Sequence, residues 1–181
     1  MLTGDEILHQ YKKGAILIDP FDEKHLNPNS YNLTLSPNIA WYERPGNEPL
    51  SMKKDNPVVR YKIPEQGILL LPGRLYLCMT NEQCGSDLFV SCIEGRSSVA
   101  RLGMSVHLTA GFGDLGFKSF WTLEVTVVEP LIAYANIPIC QAAFHEVCGP
   151  INDRLYRGKY VHQPVPKASG LWKDFVQDPT K

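Results

Sequence analysis

The sequence predicts a mainly β fold, and three observations carry that expectation. Fourteen prolines and fourteen glycines punctuate the 181 residues, so most apolar runs end at strand length in a turn residue. Tyr31-Asn32-Leu33-Thr34-Leu35 alternates apolar and polar residues with the period of a half-buried strand. Helical spacing is confined to the opening residues and to one short turn near the middle. With 44% apolar residues and 20% charged ones, the composition suits one globular domain over residues 1–181, with a polar tail from about residue 150.

The elements follow in order. Thr3-Gly4-Asp5-Glu6 reads as a capping box, Ile7, Leu8 and Tyr11 share a helical face, and Gly14 stops the helix. Ala15 to Ile18 is a short strand ended by Asp19-Pro20, and Asn27-Pro28-Asn29-Ser30 is a turn before the alternating strand. Residues 44–62 are polar and proline-broken and read as a surface excursion without chemistry. Gly67 to Leu71, the Pro72-Gly73 turn and Leu75 to Thr80 predict a hairpin. Leu88 to Ile93 and Met104 to Thr109 are strand-like and bracket Gly95-Arg96-Ser97-Ser98-Val99-Ala100-Arg101-Leu102-Gly103. The glycine-rich turn from Ala110 to Phe117 precedes a strand from Phe120 to Val128. Leu131 to Tyr134 and Ile137 to Val147 complete the set, with Gln141 on the last.

The bracketed segment has the chemistry of an anion seat. Gly95 admits a close backbone approach, and Ser97 or Ser98 can cap the short helical turn SSVARL. Arg96 and Arg101 offer planar forks that match phosphate oxygens in pairs. A net charge of −1 gives no reason to expect nucleic acid, so any anion site is basic only locally. Five cysteines, none spaced as CxxC, read as free buried thiols in a reducing cytoplasm, and no zinc site is expected. The start has no cationic segment followed by a long apolar core, and no apolar run reaches 18 residues, so neither secretion nor membrane spanning is expected.

Glu124 stands in Trp121-Thr122-Leu123-Glu124-Val125-Thr126-Val127-Val128, where it interrupts an apolar alternation. A carboxylate facing a partly closed pocket would be desolvated, and its raised pKa would suit a general base. A glutamate in a strand is also commonly solvent-facing, and spacing alone does not separate the two.

GRSSVARLG resembles the signature of the dCTP deaminases, a branch of the trimeric dUTPase superfamily. NPNSYNLTL is similar to that family's NPxSYDLxL, with Asn32 in place of the usual Asp. LLPGRLYLCMTNE is similar to its PGxxxLxxTxE, and KYVHQPVPKAS to the KYxxQxxPxxS tail that folds over the nucleotide. TAGFGDLGF resembles the TAGFIDPGF loop of members that are both dCTP deaminase and dUTPase. Gly113 for Ile and Leu115 for Pro depart from it and are expected to loosen the turn.

The resemblance implies a distorted β-barrel or jelly roll of the dUTPase-like type, with a short N-terminal helix and a short helix after the GRSS motif. It implies a cytoplasmic homotrimer with sites at subunit contacts, converting dCTP to dUTP and ammonia and so supplying dUTP or dUMP for thymidylate synthesis. Glu124 would be the base, with Ser97 and Arg101 beside it at the reaction centre. Arg96 and Ser98 would hold phosphates, and Lys159, Tyr160 and Gln163 would close over them. Thr109, Ala110, Thr122 and Gln141 would touch the substrate, and Phe117 would pack on the deoxyribose or in the core. Zinc deaminases instead carry H-x-E with P-C-x-x-C, and this sequence has neither. Mg²⁺ would ride on the triphosphate, and dTTP is a candidate inhibitor. Two alternatives stay open: Asp114 would orient a water for cleavage of dUTP to dUMP and diphosphate, or the protein would be a regulatory trimer that binds nucleotide without catalysis.

Overall fold

The computed structural model describes residues 1–151, 154–161 and 164–176. Helix α1, Gly4–Lys12, begins where the Thr3 hydroxyl accepts the Glu6 N–H at 3.3 Å. Only this half of the capping box forms, because the Glu6 carboxylate accepts from Gln10 Nε2 at 2.6 Å instead. The helix buries Ile7 and ends at Gly14, whose positive φ of 75° suits the stop.

Twelve strands follow among the described residues: β1 Ile16–Asp19, β2 Tyr31–Thr34, β3 Asn38–Tyr42, β4 Val58–Lys62, β5 Ile68–Leu70, β6 Tyr76–Ser86, β7 Val90–Gly95, β8 Met104–Ser105, β9 Phe112–Gly113, β10 Lys118–Val127, β11 Leu131–Ala133 and β12 Pro138–His145. Helix α2, Ser97–Ala100, follows β7. One sheet runs β4-β3-β6-β10-β8, with β1 also on β6, a second runs β2-β12-β7-β9, and β5 pairs with β11. These open antiparallel sheets bring their apolar faces together in a cluster that includes Ile16, Leu33, Ile39, Ile93, Leu123, Val125 and Phe144. Each such side chain, fully buried, contributes about 1.5–3 kcal/mol.

Several expectations change with the tertiary structure. The 67–80 hairpin does not pair on itself: β5 goes to β11, while β6 is the spine of the large sheet, shared by β1, β3 and β10. Residues 44–62 are not wholly an excursion, since Val58–Lys62 pairs with β3 along its length. β2 is buried at all four residues rather than half-buried, because its polar side chains have partners inside. The Thr34 N–H and hydroxyl both donate to the Glu82 carboxylate, at 2.9 and 2.7 Å, and Asn32 exchanges amide hydrogen bonds with Asn27 at 3.0 and 3.3 Å. Met104 to Thr109 is a strand only at its first two residues. Of the cysteines, Cys78, Cys84 and Cys140 are buried, but Cys92 is half-buried and Cys148 is exposed.

β10 carries a register shift against β6 between Phe120 and Thr122. The Trp121 N–H there donates to Thr80 Oγ1 at 3.0 Å, and its indole N–H donates to the Cys84 carbonyl at 3.2 Å. Trp121 is thereby held at the irregularity, which is where bulges commonly re-aim side chains.

Candidate active site

From the bulge onward β10 alternates cleanly, with Leu123, Val125 and Val127 in the core and Thr122, Glu124 and Thr126 half-buried on the other face. Glu124 thus sits in the polar phase of the strand and does not interrupt it. That face looks onto a cavity of about 360 Å³. Glu124 and its registered partner Leu77 form part of its wall with Thr122, and the loop from Ala110 to Phe117 adds another side. Tyr156, Tyr160 and residues 167–169 of the tail cover it.

Burial pushes the Glu124 carboxyl above the ordinary glutamate range, against smaller opposing pulls from its own backbone N–H and from His107. Its Oε2 is buried and accepts no hydrogen bond from any described residue. A buried acceptor left so is costly in a purely structural role and is a common mark of a functional group.

Gly113 explains why the sequence departs from the TAGFIDPGF pattern. A Cβ there would stand 2.6 Å from Ser91 Oγ and 2.6 Å from the Trp121 ring, so the indole occupies the room a larger side chain would need. Gly113 pairs with Ser91 in β9, and the Leu115 carbonyl accepts the Tyr156 N–H at 2.7 Å. The loop is therefore tightly held rather than loosened. Phe117 lines the cavity and packs edge-on to Trp121 and Tyr156 at ring-centre distances of 4.8 and 5.9 Å.

The structure gathers Ala110, Asp114, Phe117, Thr122, Glu124 and Tyr160 on this cavity. Thr109 precedes it on an exposed stretch of loop. Arg96, Ser97, Ser98 and Arg101 do not line it within one chain. Arg96 is the N-cap residue of α2 and no side chain caps the helix, contrary to the expected role of Ser97 or Ser98. One arm of the Arg96 guanidinium donates to the Pro138 carbonyl at 2.8 Å, and Ser97, Ser98 and Arg101 are exposed. Gln141 braces this turn: its Nε2 donates to the Gly95 carbonyl at 3.2 Å while its Oε1 accepts from the Ser30 hydroxyl at 2.7 Å. Lys159 is off the wall and pairs with Asp174, and Gln163 lies outside the described residues.

Sequence reasoning missed Tyr42, Trp121, His107, Tyr156 and Lys167. Trp121 and Tyr42 read as ordinary strand aromatics, and a tail lysine carries no periodic signal. Their roles depend on which distant segments meet.

Comparison with known proteins supplies the chain's family. A family model described as dCTP deaminase-like matches residues 1–147. Over 175 residues the chain is 47% identical to "dCTP deaminase, dUMP-forming" of Clostridium beijerinckii, covering 97% of this chain and 98% of that protein. It is 51% identical over 175 residues to the protein of the same name from Leptospira biflexa serovar Patoc, with the same coverage. In structure it is similar to a crystal structure of 2'-deoxycytidine 5'-triphosphate deaminase from Agrobacterium tumefaciens, with a TM-score of 0.63, 15% sequence identity and 84% of this chain covered. The match spans 49% of that longer protein, and the likeness is one of fold. Matched by the family model over residues 1–147 and by relatives along nearly its whole length, the chain belongs to the dCTP deaminase-like family.

Proposed function

We propose that the protein is a dUMP-forming dCTP deaminase. The observation that carries this reading is the Glu124 carboxylate, raised in pKa by burial and with a buried oxygen unpartnered among the described residues, on a cavity of nucleoside size. Water attacks C4 of the cytosine ring as Glu124 takes one of its protons and delivers it to N3. The tetrahedral intermediate collapses as its C4 hydroxyl proton passes through Glu124 to the amino nitrogen, so that the C4–N bond breaks, ammonia leaves and the C4 carbonyl of uracil forms. A second water then cleaves the bond between the α and β phosphates, giving dUMP and diphosphate.

The relatives at 47% and 51% identity are dUMP-forming by name, which supports this second step over release of dUTP. Asp114 would orient that second water, and its exposure on the wall of the same cavity supports the assignment. Ser97 and Arg101 join Glu124 when the α2 turn of another copy closes the cavity, and Arg96 and Ser98 of that turn meet the phosphates. The exposure of Ser97, Ser98 and Arg101 in a single chain supports this arrangement, because charged groups on an open turn gain their strongest bonds only when an anion arrives. The protein then works as a trimer, with Mg²⁺ carried on the triphosphate.

Incubation with dCTP and Mg²⁺, followed by separation of the nucleotides and an ammonia assay, tests the reading. Ammonia and dUMP are expected. Accumulated dUTP would reduce the activity to deamination alone, and unchanged dCTP would overturn the proposal.

A further inference from the structure

The cavity wall carries two carboxylates, Asp114 and Glu124, and among its described residues a single cation, Lys167. A triphosphate brings several negative charges to a wall that is otherwise acidic, so the position of that cation matters. The Lys167 backbone is pinned over the site: its N–H donates to Thr122 Oγ1 at 3.2 Å, two residues from Glu124 along β10. The next residues are held as firmly. Ser169 N–H donates to the Tyr42 hydroxyl at 3.0 Å, and Gly170 N–H to the Tyr160 hydroxyl at 3.0 Å.

The two tail lysines differ in their partners. The Lys159 ammonium is neutralised by Asp174. The Lys167 ammonium has no carboxylate partner among the described residues and rests on the Lys159 backbone carbonyl at 2.7 Å. A phosphate oxygen is a stronger acceptor for an ammonium than a neutral carbonyl. With the main chain already fixed, the exchange needs only side-chain rotation and costs little ordering entropy. The KYxxQxxPxxS pattern has no assigned residue between Pro166 and Ser169, so nothing in it gives Lys167 this role.

We propose that Lys167 is a further substrate-binding residue, whose ammonium leaves the Lys159 carbonyl to hold the phosphate chain of the entering nucleotide. The proposal rests on the nucleotide reading above and extends it to a named group. Titration calorimetry with dCTP and with dCMP, in a Glu124→Gln background that spares the nucleotide, tests it directly. Lys167→Met is expected to weaken dCTP about tenfold and dCMP less than about twofold, as loss of one charge-assisted bond to phosphate requires. Lys167→Arg should recover most of the loss, which a merely structural role of the stem would not explain. Equal weakening of both nucleotides, or none, overturns the proposal, as does failure of dCTP to bind at all. Ammonia release by the unmodified protein is measured separately. Binding with the expected phosphate dependence but no ammonia would sink the deaminase reading while leaving Lys167 in place, and turnover with no effect of Lys167→Met would do the reverse.

Discussion

The Glu124 cavity is walled by stretches far apart in one chain, whereas the turn from Arg96 to Arg101 leaves both serines and one arginine in solvent. The tail stays over the cavity because its N–H groups find hydroxyl acceptors on Thr122, Tyr42 and Tyr160, replacing water bond for bond. The turn stays open because burying guanidinium and hydroxyl groups without an anion would cost more than one chain can return. The contrast teaches that the two candidate halves of the site are arranged differently: the Glu124 carboxylate is housed within one protomer, and the arginine-serine turn is presented outward.

The sharpest way to break that division is to disable each half. Glu124→Gln should lower ammonia release by about 10²–10⁴-fold, the usual worth of a general base, while dCTP affinity stays within about twofold. Ser97→Ala should also lose turnover. Refolding the two inactive chains together should restore a fraction of it, since some sites would then pair an intact cavity with an intact turn. No recovery on mixing would mean that both halves serve the same chain.

A second test concerns how rigid the cavity side is. Gly113→Ile would push a Cβ against Ser91 Oγ and the Trp121 ring, at 2.6 Å each, and should cost about 1–3 kcal/mol in urea unfolding. An unchanged midpoint would show that this wall yields more than its packing implies.

The smallest effect is on stability against pH. Burial raises the Glu124 pKa above the ordinary glutamate range, so the folded state holds this proton more tightly than the unfolded chain does. The stabilising contribution is therefore complete below the unfolded pKa and is lost as pH rises through the raised folded value. Glu124→Gln should accordingly melt above the parent at about pH 7, with the gain fading below about pH 4. A gain independent of pH would point to packing rather than to the carboxyl.

Local chemistry made much of the molecule legible beforehand. The Thr3 cap, the turn at Asn27-Pro28, the β10 run and the short helix after Gly95 all follow from signals within a few residues, and all appear. The pairing of β5 with β11 does not, because strand partners are chosen by which apolar faces must be buried together across the chain. Asn32 shows the same limit. Its amide is satisfied by Asn27 across the preceding turn, a partner that alternation along the strand does not reveal.

Residue order by itself determined the β class, the elements set by capping and turn residues, and the candidates Glu124 and the arginine-serine turn, since propensity, period and ionisable chemistry are local properties. Only the folded chain decided that Glu124 is half-buried, that Trp121 claims the space beside Gly113, and that Lys167 rather than Lys159 stands on the cavity wall. Desolvation, steric exclusion and convergence of charges depend on what distant segments bring to one place, and that is settled by packing.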